Sequence, residues 1–241
     1  MISICIVSNR ENVDKQVNEL KKLASIVYYS ANIEDPAFEK KITDNITKVN
    51  PGLPIISVTQ KPMDFGDNIC VGDVGWGYNN AWRQVLIGCK KATTPYVFMV
   101  ESDCLYPKGY FDFVPTDLTT IYTYTNVWIM RLKNENDAFY QKEQTHGSLL
   151  YPRELAIEFF EKLLEGLPMW KAARFGSSPK GKPAVRREDY GFTEFTSEFP
   201  VINIITRANG RKGTATIKTV KPRSELPYWG DRDELKEWLL C

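Results

Sequence analysis

The chain has 241 residues, 43% hydrophobic and 25% charged, the composition of a globular protein with a real core and room for one large domain. A net charge of +1 excludes a uniformly polyionic chain, yet twelve Lys and Arg face only four Asp and Glu between Lys171 and Arg223, an excess of eight positive charges. The apolar runs stop short of the ~20 residues of a membrane span, and five scattered cysteines without a CxxC pair exclude a disulfide framework or a zinc ribbon and suit a reducing cytoplasm.

In chain order, residues 2–7 read as a buried strand, with no basic segment ahead of them that would mark a signal peptide. Ser8 and Glu11 have capping-box spacing, and Val13, Val17, Leu20 and Leu23 fall on one helical face. Residues 25–29 form a second β-rich run. Asp35-Pro36 then opens a helix whose stripe is Phe38, Ile42 and Ile46. Asn50-Pro51-Gly52 precedes a third strand over 53–58, and a glycine-punctuated loop is expected over 61–77. The spacing of Ala81, Val85 and Cys89 predicts a helix over 78–91, ahead of a fourth strand at 96–100. Later segments are less regular. Residues 120–132 hold one or two strands, Pro152 opens a helix, 171–187 read as a long loop, and Asp231 with Glu234 caps a closing helix.

Strands alternating with helices predict an α/β fold with a mainly parallel sheet, and such sheets bind ligands beyond the carboxyl ends of their strands. Glu101-Ser102-Asp103 lies at such an end. Residues two apart in an extended chain share a face, so Glu101 and Asp103 are expected to project together with Ser102 turned away. Paired carboxylates of this kind suit Mg2+ or Mn2+, which in turn hold a diphosphate. The bland alternative is that the triplet only polarises a turn.

The element order and the acidic triplet resemble the GT-A fold of nucleotide-sugar glycosyltransferases. Residues 26–128 are more closely similar to a group of phage and bacterial GT-A-like proteins. The residues that carry this are Tyr28-Tyr29-Ser30, Pro36 to Ile42, Leu53 to Gly72, Glu101 to Pro107 and Tyr124 to Trp128. The resemblance covers about 100 of 241 residues. It implies one domain over 1–241, with a nucleotide-sugar half at 1–107 and an acceptor-side half at 108–241.

By position it implies that Tyr28, Ser30 and Asn32 line a nucleoside pocket, that Asp67 and Asn68 contact the donor, and that Asp103 ligates Mn2+ or Mg2+. Glu101 would contact the ribose or a metal-bound water. The donor implied is a nucleotide-sugar such as a UDP-sugar. The acceptor implied is a hydroxymethylated pyrimidine in DNA, or else a glycan. A non-catalytic nucleotide- or nucleic-acid-binding protein on the same scaffold stands as the alternative. Two departures weaken the implied metal site: Ser102 stands where the group has His, and a C-terminal IDIRHG-like phrase is matched loosely by residues 202–209.

Arg187-Glu188-Asp189-Tyr190 is similar to the acidic element of inverting GT-A enzymes, which makes Asp189 the first candidate for general base and Glu188 the second. Both carboxylates equally suit pairing with Arg186 and Arg187. His146, the only histidine, could be a base or a ligand, although in a Gln-Thr-His-Gly loop it reads first as a surface residue. Lys180, Lys182, Arg186, Arg211, Lys212 and Lys218 could meet DNA phosphates, or form solvated loops.

Overall fold

The computed structural model describes residues 19, 21–133, 138–142, 146–170, 187–206 and 220–241. The strand expected at 2–7, most of the helix expected after Ser8, the loop from 171 to 186, residues 207–209 of the loosely matched phrase and all six of the lysines and arginines proposed for DNA lie outside the described residues.

Strand β1 (Ala24–Ser30) is buried along its whole length between β2 (Ile55–Thr59) and β4 (Tyr96–Glu101), parallel to both. Its sequence Ala-Ser-Ile-Val-Tyr-Tyr-Ser has no polar face because helices cover both sides of the sheet. Ile26 and Tyr28 join Phe98 and Val100 beneath helix α1 (Pro36–Val49), whose buried face is Phe38, Ile42 and Ile46. Asp35 caps that helix, accepting from the Ala37 and Phe38 amides. Val27 and Tyr29 point the other way, with Val97 and Met99, against helices α2 (Tyr78–Lys91) and α3 (Arg153–Leu164). Gly88 brings α2 close to the sheet, where a Cβ would stand 2.4 Å from Val27 Cγ1.

Among the described residues the main sheet has seven strands in the order β10-β6-β9-β4-β1-β2-β3. Here β3 is Asp67–Cys70, β6 Ile121–Tyr124, β9 Leu149–Pro152 and β10 Phe192–Phe195. Only β9 runs against the rest, pairing antiparallel with β4 and β6. The mainly parallel α/β sheet read from the sequence is therefore present. The expected loop at 61–77 needs correction, because β3 interrupts it and extends the sheet beside β2.

A second sheet, in the order β5-β11-β7-β8, packs its apolar residues into the α1-side core. Its strands are β5 (Cys104–Leu105), β7 (Val127–Arg131), β8 (Tyr140–Lys142) and β11 (Val201–Ile205). The chain thus leaves the main sheet at Glu101 and enters the second sheet at Cys104. The turn at 102–103 is the corner between them, and the Ile204 amide fastens it by donating to the Asp103 carbonyl at 2.7 Å. A short ribbon, β12 (Glu225–Leu226) with β13 (Gly230–Asp231), leads into helix α4 (Arg232–Leu240), capped by Asp231 as its spacing predicts. No helix of the described residues is long and apolar enough to cross a membrane.

Candidate active site at the corner between the sheets

Glu101 is the last residue of β4 and Asp103 follows it in the turn, and their carboxylates converge. One oxygen from each, with Cys104 Sγ, lies within 4.8 Å of the others, a group able to hold a cation. Glu101 is oriented from both sides. Tyr29 OH donates to Oε1 at 2.8 Å and the Gly147 amide donates to Oε2 at 2.9 Å. Asp103 is met by Asn203 from β11, whose Nδ2 donates to Oδ1 at 3.4 Å, while Lys142 Nζ donates to Asn203 Oδ1 at 2.9 Å.

The electrostatics follow from this crowding. Desolvation in the half-buried corner, then the Glu101 charge, push the Asp103 carboxyl up to about 8, against a downward pull from Lys142. A divalent cation between the carboxylates relieves that repulsion, and hard oxygen donors fit Mg2+ or Mn2+. Burial and the two neighbouring carboxylates push the Cys104 thiol well above its ordinary value, so near neutral pH it is a protonated thiol beside an oxygen-donor pair.

The other sequence-selected residues are distributed unevenly. Ser30 and Asn32 lie at the same end of β1 as Glu101, since Tyr29 and Glu101 are in register. Asn32 works as a clamp: its Oδ1 accepts from the Gln60 and Lys61 amides, and its Nδ2 donates to Glu39. It holds a left-handed backbone at φ 49°, which asparagine tolerates. Tyr28 was expected to line a pocket. Strand alternation instead turns it into the core, 0% exposed, with its hydroxyl donating to Glu39 at 2.7 Å.

Asp67 and Asn68 sit in edge strand β3 and not in a loop. Asp67 pairs with Lys91 at the far end of α2, at 3.0 Å. Asn68 donates to Ser57 and Thr59 side chains and accepts from the Met63 amide. These bonds fasten β3 to its neighbour.

Glu188 and Asp189 are not brought to the corner. They belong to a 3-10 turn at Arg187–Tyr190 that precedes β10. Phe192 is in register with Ile121, and the next residue of β6, Tyr122, reaches the level of Phe98 through Leu150. The turn therefore lies at the amino-terminal edge of strands whose carboxyl-terminal edge carries Glu101. Tyr190 anchors it there, packed on Phe159 of α3 with ring centroids 5.6 Å apart. At about 3.3 Å per residue along strands and about 4.8 Å between them, the separation is over roughly 20 Å.

No family model and no curated protein matches the chain. Solved structures do. A glycosyltransferase involved in the glycosylation of the major capsid of PBCV-1 is 9% identical with a TM-score of 0.45, over 90% of this chain and 98% of that one. The inositol-1-phosphate CTP transferase from T. maritima is 10% identical with a TM-score of 0.49, over 79% and 93%. A mannosyltransferase from Pyrobaculum calidifontis, in complex with GDP-Man and Mn2+, is 13% identical with a TM-score of 0.41, over 84% and 64%. The chain spans about half, or less, of other matched structures, 49% of one and 31% of another. At these values the comparisons are likenesses of overall shape.

Sequence reasoning missed Tyr29, Gly147, Asn203 and Lys142. Tyr29 stood beside Tyr28 on the opposite strand face and could have been found by alternation. Asn203 lay within the loosely matched C-terminal phrase. For Lys142 and Gly147 no local signal existed.

Proposed function

We propose that the chain is a glycosyltransferase that takes a nucleotide-diphosphate sugar and moves the sugar to an acceptor hydroxyl. The observation that carries the reading is the convergence of the Glu101 and Asp103 carboxylates where β4 leaves the sheet. The similarity of residues 26–128 to GT-A-like phrases supports it. Asp103 and Glu101 would hold Mn2+ or Mg2+, which when bound neutralises the diphosphate and stabilises the charge on the departing nucleotide. Tyr29 and the Gly147 amide keep Glu101 aimed at the corner. Lys142, through Asn203, sets a positive charge beside Asp103. Residues 1–107 act as the donor half and 108–241 as the acceptor half, in one domain.

For the acceptor we infer a hydroxymethylated pyrimidine in DNA. The phage character of the resembling group and the eight excess positive charges between Lys171 and Arg223 support this, since a polymer of phosphates needs lysine and arginine contacts. Attack from the face opposite the leaving group makes the transfer inverting. A cytoplasmic site of action accords with the scattered thiols.

The deciding experiment is thermal unfolding with a panel of nucleoside diphosphates and their sugars, with and without Mn2+, on wild type and Asp103→Ala. A ligand bound only by the folded state raises the midpoint. A midpoint rise that needs both Mn2+ and Asp103 supports the reading. An unchanged midpoint across the panel removes it.

A further inference from the structure

We propose that His146 is the group that takes the proton from the acceptor hydroxyl, an inference that rests on the transferase reading above and adds a base to it. The acid pair expected to serve lies at the other edge of the sheet, so the corner needs its base from elsewhere. His146, the only histidine of the chain, opens the 3-10 turn His146–Ser148 that leads into β9. Because Leu149 is in register with Met99, antiparallel pairing carries residues 146–148 to the level of Glu101.

The approach is close. A Cβ built on Gly147 would stand 2.7 Å from Glu101 Oε2 and 3.0 Å from Cys104 Sγ, so this backbone lies directly against the Glu101 carboxylate and the Cys104 thiol. His146 is one peptide away, about 3.8 Å between Cα atoms. Two contacts fix the turn: the Gly147 amide on Glu101 and its carbonyl on the Tyr106 hydroxyl, 2.5 Å away.

The imidazole has a firm mount. Its ring stands edge-on to Trp82 with centroids 4.8 Å apart, and Trp82 is itself stacked against Tyr78 and Phe160 at 6.2 and 5.5 Å. It remains half-buried rather than sealed. It is also outside the three-residue group whose ligand atoms lie within 4.8 Å of one another. A side chain on the turn beside the cation site, and not among its ligand atoms, suits a role on the acceptor better than one on the metal.

In the step, the acceptor oxygen forms its bond to the anomeric carbon while its proton passes to an imidazole nitrogen. The bond from that carbon to the diphosphate oxygen breaks, and its electron pair leaves with the nucleoside diphosphate. The imidazolium returns its proton to solvent. Water can stand in for the acceptor, so release of nucleoside diphosphate from the donor alone reports the base.

The experiment uses wild type, His146→Gln and His146→Ala with UDP-glucose and GDP-mannose in Mn2+, measuring diphosphate release and, by calorimetry, donor binding. The expected result is donor affinity within about 3-fold of wild type in both variants, with turnover lowered about 100-fold. Added imidazole restores turnover to His146→Ala, whose cavity admits it, more than to His146→Gln. A merely structural histidine would show no such rescue. Unchanged turnover in His146→Gln overturns the inference, as does a loss of donor affinity that matches the loss of rate. So does a wild type that binds donor without releasing diphosphate, because a base at this corner activates water. A wild type that binds no nucleotide sugar overturns the transferase reading itself, and the two failures are thereby told apart.

Discussion

Asp103 carries a cost in the absence of a cation. Its carboxyl titrates at about 8 in the folded corner against an ordinary 3.8, so the folded state holds a proton that the unfolded chain has already released. Its contribution to stability is complete below 3.8 and is lost as pH rises toward 8. In a chelator, thermal midpoints should therefore fall from pH 5 to pH 8, and Asp103→Asn should flatten that slope. A wild-type slope that Asn leaves intact would assign it to other groups. Tyr29 tests the neighbouring contact. Tyr29→Phe keeps the ring against Trp82 but strips the donor from Glu101 Oε1, and unfolding in urea should show a loss of about 1–2 kcal/mol.

At the scale of the element, the turn before β9 is held through Gly147, whose amide donates to Glu101 and whose carbonyl accepts from Tyr106. Gly147→Ala must push a methyl group into Glu101 Oε2, and the backbone here cannot retreat because its carbonyl is held by Tyr106. Circular dichroism should show the fold retained, while Mn2+ affinity falls about 10-fold or more as Glu101 loses its aim. None of this was legible in Gln-Thr-His-Gly, whose polar composition reads as surface. Elements with a strong local period were legible: α2 at Tyr78–Lys91 matches its expected span, and α1 begins at the Asp35 cap. By contrast β3, with the polar sequence Asp-Asn-Ile-Cys, is a strand only because β2 offers an unpaired edge. The same nonlocal pairing hid β9 and β11, and with them His146 and Asn203. Glu101 and Asp103 converge as expected, but not through strand alternation: β4 ends at Glu101 and Asp103 lies in the turn that follows. The misplacement of Asp189 came from sequence spacing, which does not say at which edge of a sheet a turn will fall.

Among the described residues a seven-stranded and a four-stranded sheet meet at the Glu101–Cys104 corner, so a cation bound there would tie both sheets and should stabilise the entire fold. Mn2+ at 100 times its dissociation constant contributes about 2.7 kcal/mol. Charge is the other property of the whole. A net charge of +1 hides an excess of eight positive charges between Lys171 and Arg223, which leaves the remainder of the chain acidic. An acidic remainder repels DNA, so if DNA is the acceptor its binding draws on the basic stretch and weakens with salt as counterions are released. Each phosphate contact steepens the plot of log K against log salt by about 0.9. Fluorescence anisotropy with duplexes containing hydroxymethylcytosine, measured across a salt series, should give a slope of several such units. Charge reversal at Lys180, Lys182 and Arg186 should reduce that slope without changing the thermal response to Mn2+. A salt-independent signal would remove DNA as the acceptor and favour a glycan, while leaving the proposed cation corner untouched, because Glu101, Asp103 and Lys142 lie outside the basic stretch in sequence.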